Sequence, residues 1–457
     1  MTTPVKNSVP GKSSLSVPQE LIEFTLDFLH SDVPTLRTCS LVSRAFLPCS
    51  RYHIYSNVFI VHIDELDLFR KYAGQLYQYQ NLAALLEHSS HLAPLVTRFG
   101  IHGKPQWMTD VLMYTSLFPI IQSLHNLSHL EFIARSRGEF QFWVRFPDDR
   151  HSFLAALRSL SLKTLILKGF NCLERNAYFE DVCSATAANS ALKHLSLLCC
   201  YGGVETFQPH SPIRTPLNSL PALESLSISG RDTSCKVAWM FFTQSLYNVS
   251  SIRRLSLQIY SQTNSSVIQS LLNEVQETLE SFTLDICPGK TMSQDGKVDF
   301  DLSRHRNLSS FYTIVTDFTS LDSVPRMRLS PTLRTLTVEH VSRIWEWKSP
   351  RPARPWAGVD RLALPALEHV HVKLHDAFHD MCYYYAECYT CDLRAGERTD
   401  PGDLDNWKRQ VEKSMPLLKE RGILEVEVVK RQSTSRPIRY MFSLLFSERH
   451  CVSEGFD

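Results

Sequence analysis

Glycine is scarce in this chain, with 16 among 457 residues, about half of the roughly 7% usage of ordinary proteins. Phosphate-cradling turns need glycine where the backbone approaches an anion, and no Gly-x-Gly-x-x-Gly occurs. The nearest fragment, Gly11-Lys12-Ser13, has Lys6 where a P-loop needs its first glycine, which excludes that loop. A Gly-x-Ser-x-Gly elbow for a nucleophilic serine is also missing, no cysteine sits in a catalytic context, and Asp and Glu are scattered without a distinctive pair. The chain is therefore expected not to be an enzyme: no catalytic residue is assigned, and no cofactor.

Also missing is any run of the roughly 18 to 20 apolar residues that spans a bilayer. Residues 1–14 are polar, with Pro4, Pro10 and Gly11, and lack the apolar stretch of a secretory signal. An excess of one charge is absent too: 48 Lys and Arg face 47 Asp and Glu, so no global field favours nucleic acid or an anionic membrane. The 12 cysteines read as free thiols in a reducing compartment. A cytoplasmic or nuclear protein that binds neither nucleic acid nor membrane is expected.

Residues 15–60 carry a dense apolar pattern. Ser16, Pro18 and Gln19 supply a helix start, and Leu21, Ile22, Leu26 and Leu29 come next at helical spacing. The segment His30-Ser31-Asp32-Val33-Pro34 ends that helix and caps a second, which carries Leu36, Cys39, Val42 and Phe46. A third segment, Arg51 to Val58, reads as helix or turn. About 45 residues lie at the lower edge of what folds unaided, so these side chains must pack on the rest of the chain or on another protein.

The run Val17-Pro18-Gln19-Glu20-Leu21-Ile22, with Leu26 and Leu29, followed by Leu36-Arg37-Thr38-Cys39-Ser40-Leu41-Val42-Ser43-Arg44-Ala45-Phe46, resembles an F-box over about 40 residues. Val17 stands where the family has Leu, and Phe46 where it has Trp. Arg51-Tyr52-His53-Ile54-Tyr55 is similar to the continuation of the box in many fungal members. The resemblance implies docking on the Skp-type adaptor, and through it on the cullin, of an SCF-type ubiquitin ligase. The implied contacts are Val17, Pro18, Leu21, Ile22, Leu26, Leu29, Leu36, Cys39, Val42 and Phe46, some of which must instead hold the helices together. An ordinary helical pair capping a repeat array is the alternative.

Beyond residue 90 one pattern recurs: an apolar residue, two others, an apolar residue, one other, an apolar residue, as in the strand of a leucine-rich repeat. It occurs at Val96-Phe99-Ile101, Leu127-Leu130-Phe132, Leu162-Leu165-Leu167, Leu192-Leu195-Leu197, Leu223-Leu226-Ile228, Ile252-Leu255-Leu257, Leu279-Phe282-Leu284, Leu308-Phe311, Leu333-Leu336-Val338 and Leu367-Val370-Val372. A last strand is expected at Ile423-Val426-Val428. The period is roughly 30 residues. Helical stretches lie between, clearest at Ser265 to Leu279 with Asn264 as cap, and more loosely at Asp110 to Leu124, Lys236 to Leu246 and Arg175 to Ala188.

A doubly wound α/β domain also alternates strand and helix. The shared strand motif, the missing glycine fingerprint and the number of units favour the solenoid. The asparagine that many such repeats place after the strand is mostly absent, Asn171 being the nearest match.

The expected fold is thus α/β: a tail (1–14), a helical F-box (15–60), a helical linker or cap (61–90), an irregular leucine-rich-repeat solenoid (91–430) and a second tail (431–457). Parallel strands would line its concave face and helices its convex one. Trp407, Val411 and Leu417-Leu418 are expected to close its far end. The function expected is that of a substrate-recognition adaptor, or else a repeat scaffold acting without a ligase.

Two local clusters remain. His369, His371, His375, His379, Cys382, Cys388 and Cys391 include Cys388-Tyr-Thr-Cys391 at zinc-knuckle spacing, but the second Cys-x-x-Cys of a full site is missing, so no metal ligand is assigned. Trp345, Trp347, Arg351, Arg354 and Trp356 form an aromatic and basic stretch that is expected to contact the unknown target protein, since Trp and Arg dominate interface hot spots.

Overall fold

The structure is a computed structural model that describes residues 17–61, 75–77, 79–103, 117–134, 147–169, 171–172, 176–198, 201–202, 220–229, 246–260, 265–287, 300–315, 321–342, 353–362, 364–376 and 401–429. It divides into two units: residues 1–101 with 123–127, and residues 102–122 with 128–457. The expected tails, the segment Lys236 to Ser245 and the stretch His379 to Cys391 lie outside the described residues.

In the first unit, α1 (Gln19–Asp27), α2 (Val33–Val42) and α3 (Leu47–Ser56) lead into β1 (Asn57–Val61), β2 (Gln75–Tyr77) and α4 (Tyr79–His88). The third segment is a full helix that starts earlier than expected, with Pro48 in its first turn, where the missing N–H costs no hydrogen bond. It stops at Ser56 because Asn57 turns extended and Val58-Phe59-Ile60-Val61 has strand composition. Segment 61–90, expected to be helical, also contains β2, which pairs in parallel with β1 through Phe59 and Leu76.

Next come β3 (Arg98–Gly103) and α5 (Leu117–Ser123), and in the second unit β4 (His129–Ala134), α6 (Pro147–Ser159), β5 (Thr164–Lys168), β6 (Asn171–Cys172), α7 (Asn176–Ala187), β7 (His194–Leu198), β8 (Tyr201–Gly202) and β9 (Ser225–Ile228). The chain continues through β10 (Arg254–Tyr260), α8 (Ser265–Glu274), β11 (Ser281–Cys287), β12 (Ser310–Val315), β13 (Thr335–Ser342), α9 (Ala353–Asp360), β14 (His369–Asp376), α10 (Pro401–Ser414), α11 (Pro416–Glu420) and β15 (Leu424–Val429).

The second unit is mixed α/β with an all-parallel sheet, in the order β4-β5-β7-β9-β10-β11-β12-β13-β14-β15. A doubly wound sheet reverses its order at a switch point. Here the strands are added strictly in chain order, as stacking of successive units in an α/β solenoid requires.

Register places the motif residues side by side. Leu165, Leu195, Leu226, Leu255, Phe282, Phe311, Leu336 and Val370 form one lateral row, and all are buried. Each such side chain contributes roughly 1.5 to 3 kcal/mol by leaving water. A backbone device repeats with them: the carbonyls of Ser128, Lys163, Lys193, Glu224, Arg253, Glu280, Ser309 and Arg334 each accept two successive N–H groups from the start of the next strand. The last strand departs from expectation by two residues. Leu424, not Val426, stands opposite Val370, and Val426 stands opposite Val372.

Helices α7 and α8 fall where they were expected, although α8 ends at Glu274 and Leu279 is buried beyond it. Near the C-terminal strands, Trp407, Val411 and Leu418 are buried and Leu417 is exposed. Among the described residues no helix is long and apolar enough to cross a membrane.

Candidate functional site

The three N-terminal helices begin for local reasons. Leu21 and Ile22 donate N–H bonds to the Pro18 carbonyl, and Pro18 carries no side-chain cap. Ser16, expected to cap, lies outside the described residues. Asp32 caps α2: its carboxylate accepts the Thr35 N–H at 3.2 Å and the Thr35 hydroxyl at 2.6 Å. Those two bonds hold the Asp32 carboxyl below its ordinary pKa.

Each helix contributes one fully buried residue to a small core: Leu26 from α1, Leu36 from α2 and Ile54 from α3. Ile22, Leu29, Cys39, Phe46, Cys49 and Tyr55 pack partly buried around it. The ten expected adaptor contacts are thereby sorted. Leu26 and Leu36 are sealed inside and are corrected to core residues, because the helices cannot pack without them. Ile22, Leu29, Cys39 and Phe46 are half-buried against that core. Val17, Pro18, Leu21 and Val42 are exposed, Leu21 at 56% and Val42 at 69%.

Four further apolar residues, absent from the expected set, are exposed on the same helices and at the end of α1: Phe24, Phe28, Leu41 and Tyr52. Phe24 and Phe28 pack edge to face, with ring centroids 4.9 Å apart. Helix α1 therefore carries two apolar faces, one inward (Ile22, Leu26) and one outward (Leu21, Phe24, with Phe28 just past its end). A helix apolar on both sides is normally buried on both. Among the described residues, every exposed large apolar side chain except Leu417 lies between Val17 and Tyr52. The 4-residue spacing of Phe24 and Phe28 was the available sequence signal.

A second surface lies on the other side of the parallel sheet, where side chains alternate with the buried rows. Ser196, Ser227, Ser256, Thr283, Tyr312 and Thr337 stand in lateral register. This hydroxyl row continues into His371 and Glu425. Polar and charged pairs flank this row: Gln258 donates to Asp285 at 2.6 Å on β10 and β11, and at the last strands His375 lies 3.1 Å from Glu339 and His371 lies 3.2 Å from Glu427. Lys373 sits over the Tyr312 ring. At the first strands Glu131 is buried between His102 (2.9 Å) and His129 (3.3 Å), so its carboxylate is satisfied from both sides.

His369 and His371 alternate on β14 with buried Val370 and Val372, so they are strand-face residues. Trp345, Trp347 and Arg351 lie outside the described residues, and the Arg354 side chain is likewise undescribed. Trp356 was expected to reach a target and is instead buried on α9. Its ring lies 5.9 Å from that of His340, which in turn is 5.2 Å from Trp407. Gly358 lets α9 pack on Pro325, whose Cγ would lie 2.8 Å from a Cβ at that position. Trp356 is therefore a packing residue. A comparison with known protein families and with curated proteins returns no match.

Proposed function

We propose that this protein is the substrate-recognition adaptor of an SCF-type ubiquitin ligase, docking a Skp-type adaptor through the exposed apolar face of its N-terminal helices and holding a target protein on the polar face of a leucine-rich-repeat solenoid. The observation that carries this reading is the confinement of exposed large apolar side chains to Val17–Tyr52, with Leu417 as the exception among the described residues. Patches of that kind mark protein interfaces, and this one falls on the segment that resembles an F-box. Its contribution to ubiquitin transfer is proximity, with no bond chemistry of its own.

On the solenoid, the row Ser196, Ser227, Ser256, Thr283, Tyr312 and Thr337 offers hydroxyl donors and acceptors along the surface where repeat proteins bind cargo. The second reading, a repeat scaffold without a ligase, keeps this face and discards the first. Co-expression of the full chain with a Skp-type adaptor separates them. Co-elution on gel filtration, lost on deleting residues 15–60, supports the ligase adaptor; separate elution of the intact chain rejects it.

A further inference from the structure

Asp27 at the end of α1 and Cys49 and His53 on α3 converge: their ligand atoms all lie within 4.8 Å of one another, and His53 Nε2 is 2.8 Å from Asp27 Oδ1. Cys49 and His53 are one helical turn apart, the spacing that lets two side chains of one helix reach one ion. The Cys49 thiol is free and half-buried, and it donates to the Glu23 carbonyl at 4.0 Å. We propose that Asp27, Cys49 and His53 form a zinc-class metal site that staples α1 to α3, with a fourth position open to water.

Thiolate, imidazole and carboxylate together are a zinc-type donor set, and the sulfur disfavours magnesium and calcium, which take oxygen ligands. Tetrahedral binding at about 2.0 to 2.3 Å sets ligand atoms roughly 3.3 to 3.7 Å apart, so the existing spacing needs only small side-chain adjustments. The Asp27–His53 hydrogen bond would give way to shared coordination. Burial, followed by the Asp27 and Glu23 carboxylates, raises the Cys49 thiol above its ordinary pKa; the same negative field attracts a divalent cation, which would displace the thiol proton. A staple also suits this part of the chain, whose fully buried core is Leu26, Leu36 and Ile54, since small modules commonly add a metal to supplement a small core.

The test is titration of the full-length, reduced, metal-free protein with Co²⁺, reading the thiolate-to-cobalt charge-transfer band and the tetrahedral visible bands, followed by displacement with Zn²⁺. The chain has 12 cysteines and 18 histidines, so the comparison is between wild type and variants. One equivalent of the cobalt signal is expected to disappear in Cys49→Ser and His53→Gln, and Asp27→Asn is expected to weaken binding about tenfold or more. Asp27 is exposed, so Asp27→Asn should retain the fold and keeps the test decisive if the other two variants do not. The inference is overturned if wild type shows no such band, or if Asp27→Asn and the foldable variants bind cobalt as wild type does.

Discussion

The Asp360 carboxylate accepts the backbone N–H of Leu418 at 2.9 Å and that of Leu417 at 3.2 Å. Residues 58 positions apart are thus joined, and the first turn of α11 is capped from α9. Asp360 is buried, so removing it leaves two amides without this acceptor. Asp360→Ala is expected to lower stability by about 1 to 2 kcal/mol, and Asp360→Asn by less, as read by urea denaturation.

Burial holds the His340 imidazole pKa down to about 3. An unfolded histidine charges below about 6.5, so between these values the unfolded chain binds the extra proton. Stability therefore falls as pH drops from about 6.5 toward 3. His194, by burial and then Arg254, and His305, by burial, are shifted downward too and act with the same sign. Replacing His340 by Phe should flatten the acid limb of a stability-versus-pH curve by at most roughly 5 kcal/mol, with little change in its pH slope above pH 7.

Gly169 and Gly422 separate two costs. Both have positive φ, +77° and +71°, which costs a side chain roughly 1 kcal/mol or more. A Cβ at Gly169 would also lie 2.7 Å from the Ala134 Cβ, whereas nothing lies within 4 Å at Gly422. Gly169→Ala is expected to destabilise by clearly more than Gly422→Ala, measured by thermal melting.

Much of the second unit was legible because most of the strands of its parallel sheet bury the same apolar triplet, and a repeated pattern averages out local ambiguity. The last strand slipped by two because Leu424, Val426 and Val428 alternate evenly, so either register satisfies the pattern. Trp356 was misplaced because composition cannot tell an aromatic loop from an amphipathic helix, and the His340 ring that packs against it, itself in contact with the Trp407 ring, comes from a distant position. Among the N-terminal apolar residues, helical spacing identified the helices but not which face turns inward; that depends on Leu26, Leu36 and Ile54 meeting. Asp27, Cys49 and His53 form no contiguous motif, and only the packing of α1 on α3 joins them.

The same partition predicts two kinds of variant. Leu36→Ala should destabilise the N-terminal unit by about 2 to 5 kcal/mol, seen as earlier proteolysis of that unit. Val42→Asp, at an exposed position, should change stability by less than about 0.5 kcal/mol.

The most direct measurement is the affinity of the immobilised full chain for a Skp-type adaptor, compared among wild type, the double variant Leu21→Asp/Val42→Asp, and Leu417→Asp as a control on the other unit. Binding at least roughly hundredfold weaker is predicted for the double variant, with unchanged circular dichroism, and wild-type binding for the control. Equal affinity for all three proteins, or no binding by the wild type, would contradict a docking role for the exposed N-terminal face.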